Sequence, residues 1–317
     1  MKTTLLFSCA LAAVADAQPI VIAHRGASGY LPEHTLEAKA MAHAMGADFL
    51  EQDIVLTKDD VPVVMHDIYL DTISDVAQRF PDRHRENGRF YALDFTLAEI
   101  KQLHATERFS EKTGKQVYPK RFPKDASSFQ IPTLEEELQL IEGLNNSTGR
   151  IAGIYPEIKQ PKWHRSEGHD ISAIVLPILK KHGYATKSDP CFLQCFELEE
   201  VKRIRRELGW QGRLVFLMGS FKKGEKVETE KATLADVASV ADGIGPSISP
   251  DIVRLAMEAH EAGLIVHPYT LRIDDLPKWT KSTDELLHTL FDEAKVDGLF
   301  TDFPDVVVKW LGARIRK

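Results

Sequence analysis

His24 and Arg25 end an apolar run, Ile20-Val21-Ile22-Ala23, and Gly26 follows them. A hydrophobic stretch that stops on an imidazole, a guanidinium and a glycine has the form of a strand delivering side chains to a site. Glu51 and Asp53 lie two apart within Phe49-Leu50-Glu51-Gln52-Asp53-Ile54-Val55, so on a strand both project from one face. Glu157 and Lys159 share a face in the same way in Ile154-Tyr155-Pro156-Glu157-Ile158-Lys159. Charges inside strands are costly unless they are paired or bind a metal. Neighbouring parallel strands run under about 5 Å apart, so three carboxylates converging there repel unless a cation lies among them. Oxygen-only donors select a hard ion, Mg²⁺ or Ca²⁺. The competing reading is a solvated strand end with Glu157 paired to Lys159, and the histidines favour the metal.

His66 ends a second apolar run, Val61-Pro62-Val63-Val64-Met65, beyond a Lys58-Asp59-Asp60 turn. That spacing predicts a hairpin that folds His66 back over Glu51 and Asp53. Two histidines flanking a metal, with an arginine, suit general acid/base cleavage of a phosphate ester. The cation and Arg25 hold the phosphoryl oxygens while one imidazole takes a proton and the other gives one. Which histidine acts first as base is left open. Gln194 is a polar group inside Phe192-Leu193-Gln194-Cys195-Phe196, and Tyr269 places an aromatic in His267-Pro268-Tyr269-Thr270. Asp302, before Phe303-Pro304, reads as a helix N-cap. Of the other histidines, six (His43, His84, His104, His182, His260 and His288) read as surface or core positions without partners. His34, His164, His169 and His267 fall near presumed mouth loops or strand ends.

Placing these groups requires strands that all end at one face. Candidate strands fall at 20–25, 49–57, 151–158, 192–196, 214–218, 243–245, 264–271 and 298–301. Amphipathic segments lie between them with readable ends. Leu36 to Met45, Ile171 to His182 and Leu198 to Leu208 stop at Gly46, Gly183 and Gly209, which suit the left-handed position after a helix. Thr133 with Glu136, Thr96 with Glu99 and Ser282 with Glu285 have capping-box spacing. Strands alternating with helices in this way predict an α/β fold, a (β/α)8 TIM barrel. The stretch from about 69 to 130 breaks the rhythm and is far longer than an ordinary loop, so it reads as a small insertion after the second strand. In a barrel it would sit over the C-terminal mouth.

The chain of 317 residues, 43% hydrophobic and 27% charged with net charge -7, carries no basic excess of the kind that favours nucleic acid. Residues 1–17 read as a secretory signal peptide: Lys2, an apolar run from Leu5 to Val14, and Ala15-Asp16-Ala17 as cleavage site. No other stretch approaches the roughly 18 apolar residues of a membrane span. An exported protein, periplasmic or secreted, follows as the expectation. Cys191 and Cys195 on one strand stand roughly 13 Å apart and read as buried free thiols. Asn145-Asn146-Ser147-Thr148 holds overlapping N-glycosylation sequons, relevant only in a eukaryotic secretory system.

Taken together, HRGASGYLPEHT from His24, the Glu51/Asp53 pair, His66-Asp67, PEIK at 156–159, LQCF at 193–196, HPYT at 267–270 and GLFTDFPD at 298–305 resemble the glycerophosphodiester phosphodiesterases, and most of all their periplasmic branch. The resemblance spans about 20–311. It implies a TIM barrel that hydrolyses glycerophosphodiesters such as glycerophosphocholine or glycerophosphoethanolamine to glycerol 3-phosphate and an alcohol. It implies His24 and His66 as the acid/base pair, Arg25 as phosphate clamp, Glu51, Asp53 and Glu157 as metal ligands, and Lys159 as a phosphate contact. Gln194 and Tyr269 join Arg25 and Lys159 as substrate-binding candidates. One divalent cation, Ca²⁺ in the periplasmic branch or Mg²⁺ in relatives, is the implied cofactor, and attack by the neighbouring glycerol hydroxyl through a cyclic phosphate the implied route. His34 and Tyr269 stand where the commoner family pattern has asparagine and tryptophan, which bears on head-group preference. Two alternatives are a phospholipase D-like phosphodiesterase acting on lysophospholipids or sphingomyelin, which would need an apolar rim, and a non-catalytic phosphodiester-binding protein. The sequence does not report oligomeric state.

Overall fold

The apolar runs pair side by side as parallel strands in a computed structural model, which describes residues 18–219 and 232–315. Residues 1–17, expected as a signal peptide, lie outside the described residues. Nine strands are described: β1 (Ile20–Ala23), β2 (Phe49–Leu56), β3 (Pro62–Val64), β4 (Gly153–Ile158), β5 (Phe192–Cys195), β6 (Arg213–Met218), β7 (Gly243–Pro246), β8 (Ile265–Val266) and β9 (Gly298–Thr301). Eight of them run parallel in the order β8-β7-β6-β5-β4-β2-β1-β9. The ring closes where Asp297 N donates to Val266 O at 3.0 Å, Phe300 N to Pro268 O at 3.0 Å and Leu271 N to Phe300 O at 2.8 Å. This is a TIM barrel. β3 is the exception, pairing antiparallel with β2 as the arm of the expected hairpin, and Met65 N donates to Asp53 O at 2.8 Å.

The helices that wrap the barrel are α1 (Leu36–Ala44), α4 (Leu134–Thr148), α5 (Pro161–Ser166), α6 (Ile171–Lys181), α7 (Leu198–Arg206), α8 (Leu234–Ala238), α9 (Ile252–Glu261), α10 (Thr283–His288) and α11 (Pro304–Ile315); two short ones, α2 (Val76–Arg79) and α3 (Leu97–Ile100), belong to the insertion. The expected caps form. Thr133 and Glu136 close a capping box on α4, Thr96 and Glu99 on α3, and α4 ends on Gly149 at φ 71°. Ser282 caps α10, but Glu285 accepts from Lys281 N rather than completing the box. Strand expectations shrink at three places, the first being β1, which stops at Ala23 and leaves His24 and Arg25 in the turn after it. Ile151 is 74% exposed and β4 begins only at Gly153, and the expected strand over 264–271 keeps only Ile265–Val266 in regular pairing. Pro268 has no N–H to give a ladder, and the chain beyond it reaches its neighbours by isolated bridges.

Three apolar bodies result, the largest between the barrel strands and their helices, where Leu50, Ile154 and Leu193 meet Leu138, Val175 and Val201. Inside the barrel, Ile22, Phe49, Tyr155, Phe192, Val215 and Phe300 form a plug. Over the mouth, the insertion packs Leu70, Ile73, Phe95, Ile100 and Leu103 against Val55, Val63 and Met65 of the hairpin. Cys191 and Cys195 are buried and free. No helix among the described residues is long and apolar enough to cross a membrane.

Candidate active site

Strand register builds the site. β2 and β4 align Asp53 with Glu157, and β4 and β5 align Glu157 with Gln194, so three polar side chains stand abreast in one layer, with Glu51 one layer deeper on the same strand face. His24 leaves the end of β1 and His66 the end of β3. Of the nine residues singled out from the sequence, eight line one cavity of about 140 Å³, and Lys159 borders the cavity beside it. The site lies at the C-terminal face of the barrel, where βα loops gather catalytic groups.

The turn after β1 is tight. Arg25 and Gly26 both have positive φ, 57° and 85°, and a Cβ on Gly26 would stand 2.8 Å from the Ala38 carbonyl carbon. A non-glycine residue held there is backbone strain spent at a site. It lets Arg25 N donate to Glu51 Oε2 at 2.9 Å while the guanidinium reaches Glu33 at 3.0 Å and lies 3.6 Å from Asp53.

Ligand atoms of Glu51, Asp53 and Glu157, all buried, lie within 4.8 Å of one another. Burial raises the Glu51 carboxyl well above its usual range, with Asp53 and Glu157 adding to it. Burial likewise pushes Glu157 up to about 8 against the pull of Lys159. Asp53 goes the other way: burial opposes ionisation, but Lys159, His66 and His34 outweigh it. Asp53 Oδ1 accepts no hydrogen bond, although Lys159 Nζ is 3.4 Å away. A trio of carboxyls that cannot all ionise beside one ammonium, with an unpartnered oxygen among them, fits a divalent cation.

Lys159 lies 2.7 Å from Glu157. Gln194, a substrate-binding candidate, donates to Glu51 Oε1 at 3.0 Å and so braces a carboxylate. Tyr269 donates its hydroxyl to Met218 O at 2.8 Å and presents its ring to the cavity. His34, which the sequence left as a head-group question, lies beneath the site with Nε2 donating to Asp53 Oδ2 at 2.7 Å. His164 accepts from Leu56 N, His169 pairs with Asp60 and His267 meets the Tyr155 hydroxyl, so none of the three reaches the cavity. All six histidines expected without partners have them: His43, His182, His260 and His288 bond Asn145, Glu142, Asp297 and Asp292, His84 bonds the Arg85 carbonyl, and His104 lies against Arg79 and Asp75.

The clearest correction is Asp302. It is no helix cap: its Oδ1 accepts from His24 Nδ1 at 2.5 Å, and its Oδ2 from Arg121 at 2.7 Å and Arg272 at 3.0 Å. Burial opposes its ionisation, but His24, Arg272 and Arg121 hold it well below the usual carboxylate range. Asp67 does the same for His66, accepting from Nδ1 at 2.7 Å. Burial lowers His24 to about 4, Arg25 adding to the effect, and burial lowers His66 as well. Each imidazole thus keeps its Nδ1 on a carboxylate and turns Nε2 to the cavity, the atom on which it can accept or give a proton.

Compared with known proteins, the chain matches the glycerophosphoryl diester phosphodiesterase family over residues 24–306. A glycerophosphodiester phosphodiesterase of Haemophilus influenzae is 44% identical over 92% of this chain and 89% of its own length. One from Treponema pallidum is 38% identical, covering 97% and 96%. In structure, a phosphodiesterase of Oleispira antarctica, solved in complex with the product sn-glycerol-3-phosphate, superimposes with TM-score 0.65 at 21% identity over 95% of this chain and 98% of that one.

Proposed function

The chain belongs to the glycerophosphoryl diester phosphodiesterase family and is an enzyme of that activity; from this we propose a metal-dependent hydrolysis of glycerophosphocholine, glycerophosphoethanolamine and similar diesters to glycerol 3-phosphate and an alcohol. The observation that carries the reading is the convergence of His24, His66 and Arg25 on one cavity with the buried trio Glu51, Asp53 and Glu157. That trio would hold one divalent cation, Ca²⁺ first and Mg²⁺ second. When bound, such an ion neutralises charge on the phosphoryl oxygens and orients them.

This chain's own residues do the rest. Arg25 presents a guanidinium to the phosphate, and Lys159 adds an ammonium at the cavity edge. The imidazole acting as base takes on Nε2 the proton of the neighbouring glycerol hydroxyl as that oxygen attacks phosphorus. The other starts as imidazolium and gives its Nε2 proton to the alcohol oxygen as the bond to phosphorus breaks, leaving a cyclic phosphate. Water then attacks the cyclic phosphate, giving its proton to the imidazole that had acted as acid, while the other returns its proton to the glycerol oxygen as the ring P–O bond breaks; glycerol 3-phosphate leaves and both imidazoles are as they began. The product in the Oleispira antarctica structure, sn-glycerol-3-phosphate, is the product this chemistry leaves. Val117 and Phe196 are the exposed large apolar side chains at the mouth among the described residues. They line different cavities, which supports water-soluble diesters over lysophospholipids or sphingomyelin. Export through residues 1–17 is part of the same proposal, and sequencing the N-terminus of the secreted or periplasmic protein tests it.

The purified enzyme is expected to release glycerol 3-phosphate from glycerophosphocholine, to stop in a chelator, and to resume with Ca²⁺ or Mg²⁺. Ligand binding with no turnover in added Ca²⁺ would instead establish the non-catalytic binding protein.

A further inference from the structure

The insertion sends two arginines down to the mouth. Arg121, 9% exposed, forks onto Asp274 at 2.9 and 3.0 Å, donates to Ser28 O at 3.3 Å, and gives its remaining Nη2 contact to Asp302 Oδ2 at 2.7 Å. The Tyr118 ring lies 3.7 Å from its guanidinium carbon and fixes its plane. Arg108 forks onto Glu33 at 2.6 and 2.9 Å and donates to Asp67 Oδ2 at 2.6 Å. Asp302 and Asp67 are the carboxylates that hold the Nδ1 protons of His24 and His66. In both cases one carboxylate oxygen takes the imidazole and the other takes an arginine of the insertion, Asp302 Oδ2 accepting from Arg272 at 3.0 Å as well.

We infer that Arg121 with Asp302, and Arg108 with Asp67, are paired positioning residues through which the insertion aims the two imidazoles. A carboxylate held on one oxygen alone can swing about its Cβ–Cγ bond; held on both it presents a fixed acceptor. That fixes the ring plane and keeps the proton on Nδ1, so Nε2 is the nitrogen that works in the cavity. The insertion is then part of the catalytic geometry as well as a cover. An arrangement that served only to fasten the insertion would need Arg121 on Asp274 and Arg108 on Glu33, and would have no use for carboxylates already committed to histidines. The same logic applies twice, to residues separated by 181 positions in one relay and 41 in the other.

This inference rests on His24 and His66 being the acid/base pair, and double-mutant cycles separate the two claims. kcat and KM for glycerophosphocholine in saturating Ca²⁺ are measured for Arg121→Ala, Asp302→Asn and Arg108→Ala, each alone and in His24→Ala and His66→Ala backgrounds. Asp302→Asn is expected to lower kcat about 10- to 1,000-fold, and Arg121→Ala by less because Arg272 still holds Asp302 Oδ2 at 3.0 Å, both with KM changed under about threefold, within the range of acid/base contributions. Neither should lower kcat further once His24 is alanine, while both keep their effect when His66 is alanine. Arg108→Ala should show the mirror pattern. Equal fold losses in both backgrounds, or a change in KM alone, would overturn the relays. Wild-type kcat in His24→Ala would remove the acid/base reading beneath them. Arg121→Lys, which keeps a cation at the clasp, covers the case in which alanine unfolds the insertion, and is expected to show the same background dependence with a smaller loss. Arg83→Ala, which removes an insertion ion pair to Glu99 remote from both histidines, is expected to leave kcat unchanged.

Discussion

Glu107 lies buried at 3% exposure between the two insertion arginines, and its Oε2 has no hydrogen-bond partner. Burial pushes its carboxyl up to about 8, with Glu33 and Asp302 adding to the shift and Arg121 and Arg108 opposing it. A raised folded pKa means that the native state keeps a proton which the unfolded chain releases near 4.5. Stability from this group is therefore fully present below pH 4.5 and is lost as pH rises towards 8, by a few kcal/mol at most, at about 1.4 kcal/mol per unit. Glu107→Gln removes that loss. Thermal melts should show the variant level with wild type at pH 4.5 and more stable at pH 8; a constant difference across the range would contradict the assignment. Sequence alone could not have found this residue, since a glutamate in an irregular segment carries no pattern. Glu51, Asp53 and Glu157 were legible because a charge inside an apolar strand is costly and needs a reason. Asp302 was misread because Thr301-Asp302-Phe303-Pro304 is also how a helix starts, and only the folded chain brings it to His24 across 278 positions.

Among the elements, α1 and α4 carry a buried ion pair that amphipathic reading misses. Lys39 and Glu137 are both fully buried, Nζ to Oε1 at 2.5 Å, and Gln52 donates to the same carboxylate oxygen at 2.9 Å. The ammonium also donates to the Glu51 carbonyl and stands 3.4 Å from His34 Nδ1, so it props β2 from behind where the carboxylates face forward. Removing one partner strands the other charge in the core. Lys39→Ala or Glu137→Ala should each lose about 3–5 kcal/mol, while Lys39→Met with Glu137→Leu should recover most of it, as measured by denaturant unfolding. If the double variant were less stable than either single one, the pair would be contributing more than charge compensation. Helix ends and the hairpin were readable at this scale because capping chemistry is local. Closure of the barrel beyond Pro268 was not, because it depends on which distant carbonyl offers itself to each N–H.

Across the whole molecule, the aromatic plug of the barrel and the core of the insertion hold the carboxylate trio from below and from the side. The fold therefore brings together charges that an unfolded chain keeps apart, and a cation bound among them would be linked to folding. A cation at about 100 times its Kd adds about 2.7 kcal/mol to stability if it binds only the native state. For a chain of this size that corresponds to a rise in Tm of roughly 4 °C. Wild-type protein stripped with a chelator should melt lower by that amount and recover with Ca²⁺ or Mg²⁺, and the ion giving the larger recovery at equal concentration is the preferred one. Glu157→Gln sharpens the test because its sign should cross. Without metal it relieves repulsion among three buried carboxyls and should melt at or above wild type; with metal it lacks a ligand and should melt below. A variant that melts below wild type in both conditions would make Glu157 a structural partner of Lys159 alone, and a wild-type Tm indifferent to both ions would remove the metal from this site.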